Sequence, residues 1–378
     1  MKPLKILHVF RAPVGGLFRH VLDLAREQTA RGHRVGLIAD SNTGGTRADD
    51  TLRLLEPSLA LGLTRFPMRR HANPGDFAAL AHVVRRARDT EADVVHGHGA
   101  KGGAYARLSF GAKRPIRAYT PHGGSLLFGH ETLAGKFYLA TERLLMLRGD
   151  LFLFESAYSA DIFRRKIGSP RGLVRIVHNG VSQAEFKPIE TKADATDLVF
   201  LGELRPVKGI DILLDAIARL RDARRTVTAT LVGDGPDRAA LQAQSERLGL
   251  TGVVQFKPAM PAREALTLGR IMVVPSRAES LPYVVLEAAA GGKPLLTTSV
   301  GGIPEIYGPL SRTLIPPQDT AAFADAIARA LDRPDEMAEI TRQLREQVRA
   351  SFSVETMVDG VLDAYQTALV AVRPEFRG

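Results

Sequence analysis

The sequence predicts an α/β protein built from two doubly wound, Rossmann-like domains. Three observations predict it. Short apolar runs alternate with amphipathic segments along the whole chain. Most of these runs are apolar at successive positions rather than at every second one, as parallel strands covered on both faces require. The chain has 378 residues, long for one compact core and natural for two domains of ordinary size.

In the first half the strand candidates are Ile6–Phe10, Val35–Ala39, Asp93–His96, Arg117–Thr120, Leu151–Phe154 and Val174–Val177. In the second they are Leu198–Leu201, Thr228–Val232, Val253–Phe256, Ile271–Val274, Leu295–Thr298 and Thr313–Ile315. The segments between them have helical period: Leu17, Val21, Leu24 and Ala25 fall on one stripe, as do Ile210, Leu213, Leu214 and Ile217. The change-over is placed near His178-Asn179-Gly180-Val181 and the polar Glu185–Asp197 stretch, which contains Pro188 and few apolar residues. This gives a first domain over 1–183, a second over 184–353 and a terminal segment over 354–378. That segment is helical by pattern from about Val354 to Val372. Ligand sites in such sheets lie at the carboxyl ends of strands, so the natural active site is a cleft between the domains.

Composition narrows the function. There is no cysteine, which excludes disulfides and thiolate metal sites, and no tryptophan for a belt at a membrane interface. The apolar opening is interrupted by Lys5 and His8 and stops at Arg11, so it reads as a buried strand rather than a signal peptide. No stretch reaches the roughly 18 apolar residues of a spanning helix, and a cytoplasmic location is the default expectation. The formal charge of +10 is uneven: 28 Lys and Arg against 15 Asp and Glu over 1–183, and 23 against 26 over 184–378. A basic first half points to an anionic partner, with a solvated basic surface as the plainer reading. Nucleic acid is disfavoured, because no aromatic-basic platform or helix-turn-helix stands out. The segment Lys136–Arg148 sets Phe137, Tyr138, Leu139, Leu144, Leu145, Met146 and Leu147 among Lys136, Arg143 and Arg148. It reads either as a contact with an anionic membrane or as an ordinary helix packed on the sheet.

The strongest chemical signal is Pro275-Ser276-Arg277-Ala278-Glu279-Ser280-Leu281-Pro282-Tyr283-Val284-Val285-Leu286-Glu287, directly after a strand. Pro282 suits the first turn of a helix, which leaves the N–H groups of Tyr283 and Val284 at the positive end of the helix dipole, a ready anion site. Glu279 and Glu287 are spaced to accept hydrogen bonds from vicinal hydroxyls of a sugar and a ribose; a capping glutamate with a solvated one is the plainer alternative. Gly202-Glu203-Leu204-Arg205-Pro206-Val207-Lys208-Gly209 puts cations at a carboxyl edge, within reach of a diphosphate. Gly233-Asp234-Gly235-Pro236 is by itself only a turn. In the first half, Gly15-Gly16 follows the first strand and permits close backbone approach to a ligand, without dinucleotide-fingerprint spacing. Two further loops, His96-Gly97-His98-Gly99 and Pro121-His122-Gly123-Gly124, also follow strands. His98, His122 and Gly123 are candidates for the acceptor side. His122 reads as a catalytic or sugar-binding residue or as a satisfied loop histidine. Metal ligation is the least favoured reading, since no carboxylate pair adjoins and no H-E-x-x-H occurs.

In this order along the chain, the motifs resemble family 4 retaining glycosyltransferases of the GT-B fold. The resemblance runs from Gly15-Gly16 to the terminal helix. It is carried by Glu279 to Glu287 (E-x7-E), Lys208-Gly209, Gly233–Pro236, His178–Val181 and Gly301-Gly302-Ile303-Pro304-Glu305. It implies that Glu287 binds the ribose, Glu279 the transferred sugar, and Lys208 the diphosphate. The backbone at Leu281–Val284, with Ser280 beside it, would cradle phosphates and sugar. Gly202, Gly233 and Asp234 would line the donor site. His122 would hold the donor sugar, and Gly16 would approach the diphosphate. The terminal helix would cross back onto the first domain. Two departures stand out. Glu203 occupies the place of the family's usual arginine, so Arg205 would have to reach the phosphate. Leu281-Pro282 replaces the usual Phe-Gly, which removes one N–H donor.

The resemblance thus implies transfer of a sugar from a UDP- or GDP-sugar to a glycan or lipid-linked acceptor in cell-surface polysaccharide or lipopolysaccharide synthesis. Configuration would be retained, and no cofactor is expected. No D-x-D element follows a strand, so no essential metal is expected either. A non-catalytic sugar-nucleotide binder and a sugar-nucleotide epimerase stay open as alternatives.

Overall fold

The structure is a computed structural model and describes residues 2–111, 114–124 and 131–373. The chain divides into two compact units, Met1–Asn179 with Val354–Gly378, and Gly180–Ser353. Of the expected terminal segment, residues 374–378 lie outside the described residues.

Unit 1 runs β1 (Lys5–Phe10), α1 (Gly15–Ala30), β2 (Arg34–Asp40), α2 (Gly45–Leu55), β3 (Leu63–Phe66), α3 (Gly75–Asp89), β4 (Val94–His98), α4 (Gly99–Leu108), β5 (Ile116–Thr120), α5 (Leu133–Met146), β6 (Leu151–Phe154), α6 (Ala157–Lys166) and β7 (Leu173–Ile176). Its seven strands are parallel, in the order β3-β2-β1-β4-β5-β6-β7. Because side chains alternate across a strand, Ile6 and Leu7 face opposite layers. Ile6 joins Val94, Ile116, Ala118, Leu151 and Leu153 beneath the terminal helix, while Leu7 joins Ile38, Val95 and the apolar stripe Ala79, Val83, Ala87 of α3. Both faces are therefore covered, which is why these strands read as continuous apolar runs.

Unit 2 runs β8 (Thr196–Leu201), α7 (Ile210–Asp222), β9 (Ala229–Val232), α8 (Arg238–Arg247), β10 (Val254–Lys257), α9 (Ala262–Ala265), β11 (Gly269–Val274), α10 (Tyr283–Ala290), β12 (Leu295–Thr297), α11 (Ile303–Tyr307), α12 (Thr320–Asp332) and α13 (Pro334–Ser351). Its five parallel strands are ordered β10-β9-β8-β11-β12. The buried stripe Ile210, Leu213, Leu214, Ile217 of α7 packs with Phe323 and Ile327 of α12 on one face, and α10 with Leu344 and Val348 of α13 lies on the other. The final helix, α14 (Val354–Val372), returns to unit 1 and buries Val358, Val361, Leu362, Tyr365 and Leu369 in its core.

Two sequence readings need correction. Thr313–Ile315 is not a strand: Gly308–Thr313 forms a 3-10 turn and Ile315 makes one isolated bridge to Thr298. Pro309 near the start of that turn favours it over an extended run. Conversely, β3 went unread, because Leu63-Thr64-Arg65-Phe66 is a half-buried edge strand without an apolar run. Among the described residues no helix is long and apolar enough to cross a membrane.

α5 serves two environments. Its inner face buries Leu139, Leu145 and Met146, and with them Glu142. Glu142 takes a bidentate pair from the fully buried Arg107 of α4, at 2.7 and 3.1 Å, and a hydrogen bond from the Tyr119 hydroxyl of β5 at 3.1 Å. The Arg107 guanidinium also lies 3.9 Å from the centre of the Tyr119 ring. Removing one member of such a pair leaves the other charge desolvated. Glu142→Ala should therefore cost about 3–5 kcal/mol, read as a lower urea midpoint at unchanged m-value. An effect below 1 kcal/mol would show that water replaces the carboxylate.

Candidate active site

In unit 2 the strand order reverses between β8 and β11, the place where open parallel sheets bind ligands. The residues singled out from the sequence collect there. Lys208 ends a 3-10 turn, Pro206–Lys208, after β8, and Glu279 lies in the loop after β11. Lys208 Nζ donates to Glu279 Oε1 at 2.7 Å, and Ser276 Oγ donates to the same oxygen at 2.7 Å. The side chains are only 24% and 9% exposed, so the attraction is less screened than on an open surface. Two glycines clamp this loop. Gly209 and Gly301 both have left-handed backbones, φ 64 and 61. A Cβ on Gly209 would lie 2.0 Å from the Pro275 carbonyl oxygen, and one on Gly301 would lie 1.8 Å from that of Glu279. Hydrogen bonds from Arg277 N–H to Val207 and from Gly302 N–H to Ser280, at 2.8 and 2.7 Å, close the clamp.

α10 begins at Tyr283, so Pro282 is its N-cap and stands one position ahead of the expected first turn; ψ 122 keeps it extended. Every residue of α10 is buried except Val284 and Glu287, which lie three apart on one stripe. Glu279 and Ser280 are also partly exposed, whereas Leu281 and Tyr283 are buried beside them. The strip thus sets the partly exposed Glu287 and the nearly buried Glu279 carboxylate beside the positive end of a helix. Gly202 and Gly233 form the adjoining edge, where a Cβ on Gly233 would fall 1.9 Å from the Gly202 carbonyl oxygen. Two expected donor residues are engaged elsewhere. Asp234 accepts from Arg238 at 2.7 Å and from the Ala259 N–H at 3.2 Å. Arg205 pairs with Glu203 at 3.3 Å and lines a recess of about 310 Å³ with Asp211, Gln244 and Arg277, a recess that neither Lys208 nor Glu279 lines.

In unit 1 the corresponding reversal lies between β1 and β4. Gly15, in a left-handed conformation with φ 62, and Gly16 open α1 behind it. Here the structure gathers five histidines, of which the sequence reading singled out two. His98 Nδ1 and His122 Nε2 are 3.1 Å apart, His98 Nε2 and His8 Nδ1 3.0 Å, and His8 Nε2 lies 2.9 Å from Gln28 Oε1. His96 bridges the Tyr365 hydroxyl and Thr120 Oγ1 at 2.7 and 2.9 Å, and His20 Nδ1 meets Asn179 Oδ1 at 3.0 Å. His8 and His20 were legible only as polar residues on an apolar strand and an apolar helix stripe. His122 and Gly123 both have left-handed backbones, φ 50 and 75; for a non-glycine residue this is a strained state of the kind found at functional sites. Two triplets, His8-His96-His98 and His20-His98-His122, place ring nitrogens within 4.8 Å of one another. Both nitrogens of His96 already serve other partners, and His98 Nδ1 and His122 Nε2 stand at hydrogen-bond distance from each other.

Residues 14–185 match the model for Glycosyltransferase Family 4, and residues 195–333 match that for Glycosyl transferases group 1. A D-inositol 3-phosphate glycosyltransferase of Saccharomonospora viridis is 30% identical over 341 residues, spanning 81% of this chain and 78% of the relative. The chain belongs to the family 4 glycosyltransferases. Among solved structures, sucrose-phosphate synthase from Thermosynechococcus elongatus is similar with a TM-score of 0.78 at 21% identity, over 97% of this chain and 100% of that one. Anabaena HepE in complex with UDP and glucose reaches 0.80 at 22%, over 96% and 100%. These likenesses establish the GT-B fold.

Burial dominates the protonation of the glycosyltransferase's histidine cluster. It lowers His8 to about 4, with a partial offset from Gln28, and His20 to about 3, with an offset from Asn179. His96, His98 and His122 are held well below the usual imidazole value, by burial first and by neighbouring rings second. Folded-state values below the unfolded value near 6.5 mean that the unfolded chain binds protons first as pH falls. Stability should be flat above pH 6.5 and fall steadily toward pH 4, each ring contributing up to about 1.4 kcal/mol per pH unit. Urea unfolding at successive pH values checks this, and His8→Gln should flatten the slope. A stability profile level from pH 7 to 4.5 would contradict neutral, buried rings.

Proposed function

We propose that this chain is a retaining glycosyltransferase that moves the sugar of a UDP- or GDP-sugar to a glycan or lipid-linked acceptor. The observation that carries the proposal is the Lys208–Glu279 ion pair at the β8/β11 reversal, beside the accessible Val284–Glu287 strip of α10. It supplies a cation for a diphosphate and, with Glu287, acceptors for the hydroxyls of sugar and ribose. Glu287 takes the ribose, Glu279 the transferred sugar, and Lys208 and the first turn of α10 the phosphates.

In the reaction the bond from the anomeric carbon to the phosphate oxygen breaks, and a bond to the acceptor oxygen forms on the same face. Negative charge grows on the leaving phosphate, which takes up the acceptor proton. Lys208 and the α10 N–H groups stabilise that charge where it develops. No protein base and no resident metal enter this scheme. His122 and His98 of unit 1 hold sugar hydroxyls. A second reading, a sugar-nucleotide binder without turnover, is favoured by one observation: the arginine expected to assist Lys208 is paired with Glu203.

Incubation with labelled UDP-, GDP- and ADP-sugars and candidate acceptors separates the readings. A new glycoside with retained configuration supports the proposal, isomerised donor indicates an epimerase, and saturable binding without product indicates a binder. Lys208→Ala should lower kcat by about 100-fold, with a smaller loss of donor affinity, because its charge counts most in the transition state. A weakened donor Kd with intact kcat would remove Lys208 from this role.

The acceptor side is proposed to rest on an anionic membrane face. α5 and Leu147 at its C-cap leave Leu133, Phe137, Leu144 and Leu147 between 56% and 85% exposed, beside Lys136 and Arg148. Arg164, Arg165 and Lys166 close α6 nearby, where Arg143 binds the carbonyl of Ile167. Apolar side chains with a basic rim suit insertion at lipid headgroups, each cation adding about 1 kcal/mol. Peripheral attachment would fit synthesis of cell-surface polysaccharide or lipopolysaccharide at the cytoplasmic face. The protein should sediment with anionic but not neutral liposomes, less so in high salt, and Phe137→Ser with Leu144→Ser should release it. Retention in the supernatant under all conditions would leave a soluble or protein-borne acceptor.

A further inference from the structure

His122, His98, His8 and Gln28 form one continuous hydrogen-bonded line across unit 1, with separations of 3.1, 3.0 and 2.9 Å. His8, His98 and Gln28 are fully buried or nearly so, while His122 is partly exposed. A neutral imidazole has one N–H and one lone pair. Each ring in the line uses one nitrogen toward each neighbour, so its two bonds must have opposite sense. The proton order of the whole line is then set by whatever stands at its end.

That end is Gln28. Its carbonyl oxygen faces His8 Nε2, and its amide nitrogen is turned toward the Tyr365 hydroxyl of α14 without completing a hydrogen bond. The Tyr365 hydroxyl is placed to donate to His96 Nδ1 at 2.7 Å, which leaves its oxygen lone pair for an amide N–H. A carbonyl oxygen only accepts, so His8 Nε2 carries the proton and His8 Nδ1 accepts from His98 Nε2. His98 Nδ1 then accepts from His122 Nε2. His122 Nδ1 is left with a lone pair, and no partner faces it among the described residues. Turning the Gln28 amide over would reverse every bond and make His122 Nδ1 a donor.

We propose that Gln28 is a positioning residue that fixes, through His8 and His98, the tautomer of His122, so that His122 Nδ1 presents a lone pair to a proton-bearing group of the ligand. The group that meets it is a hydroxyl or an amine, not a carboxylate or phosphate oxygen. This rests on the reading of unit 1 as the part that holds sugar hydroxyls. The burial that keeps all three rings neutral supports it, since a protonated ring would donate in both directions.

The test is long-range proton–nitrogen correlation on the full chain labelled with nitrogen-15 histidine, assigned by single substitutions. His122 Nδ1 should show the signature of a bare nitrogen, with Nε2–H on His122, His98 and His8. Gln28→Met, close in shape but without the carbonyl acceptor, and Tyr365→Phe, which removes the group that orients the amide, should each turn His122 into a mixture of tautomers. A bare Nε2 on His122 in the unaltered protein, or an unchanged tautomer in both variants, would overturn the proposal. Addition of a UDP-sugar should shift His122 Nδ1, whereas UDP alone should not. Gln28→Met should raise KM for the sugar nucleotide by about 5-fold, with UDP affinity unchanged; equal losses for both would mark Gln28 as merely structural. If the tautomers are as stated but no sugar nucleotide moves the His122 signals, the relay stands and the sugar-binding reading of unit 1 fails.

Discussion

Lys208 and Glu279 come from the two strands that flank the reversal in unit 2, and their ion pair binds two loops into one surface. The loop after β11 is also held by the close approach of Gly209 to Pro275 and of Gly301 to Glu279, and by Arg277, which pairs with Asp211 at 2.6 Å and donates to the Pro206 carbonyl at 2.6 Å. The pair also sets the local charge. At 2.7 Å the two opposite charges form a couple that is neutral as a whole, so neither side chain is left as an uncompensated, largely buried charge. The dipole of α10 adds partial positive charge without adding a side chain that must be repacked.

Unit 1 solves a different electrostatic problem by a different route. Its polar groups at the β1/β4 edge are neutral by burial rather than by pairing, and they specify direction instead of charge. The five imidazoles pack through tilted ring contacts and ring-to-ring hydrogen bonds; His96 and His98 have centroids 3.9 Å apart with their planes at 37°. Asparagine, glutamine, threonine and tyrosine complete the set.

The fold was legible because parallel strands covered on both faces leave long apolar runs, and β1, β6 and β11 show this plainly. β3 was not legible, since an edge strand needs no second apolar face. Thr313–Ile315 misled because three residues of strand-like composition can equally close a 3-10 turn. At the site, the Glu279–Glu287 spacing and Lys208 were readable, since local sequence encodes loop and helix positions. Their mutual ion pair was not, because it joins residues 71 positions apart. The histidine cluster was readable only at His98 and His122, which sit in glycine-marked loops. His8 and His20 lie inside apolar patterns, where one polar residue says nothing about the partner that satisfies it. Arg205 and Asp234 were assigned by position in a motif, and position does not show where a long or paired side chain turns.

α14 belongs to the core of unit 1 but is encoded after the whole of unit 2. During synthesis on the ribosome, the face of the first sheet made by Ile6, Val94, Ile116 and Leu151 therefore emerges long before its covering helix. Unit 2 is contiguous in sequence and has all its elements at hand, so it can close first. The first unit must wait with an apolar face uncovered for roughly the ten to thirty-five seconds that unit 2 takes to translate at usual rates. The order of assembly is thus inverted relative to the order of the genetic message. A nascent chain held at the end of unit 2 would be the form of this protein most in need of a chaperone.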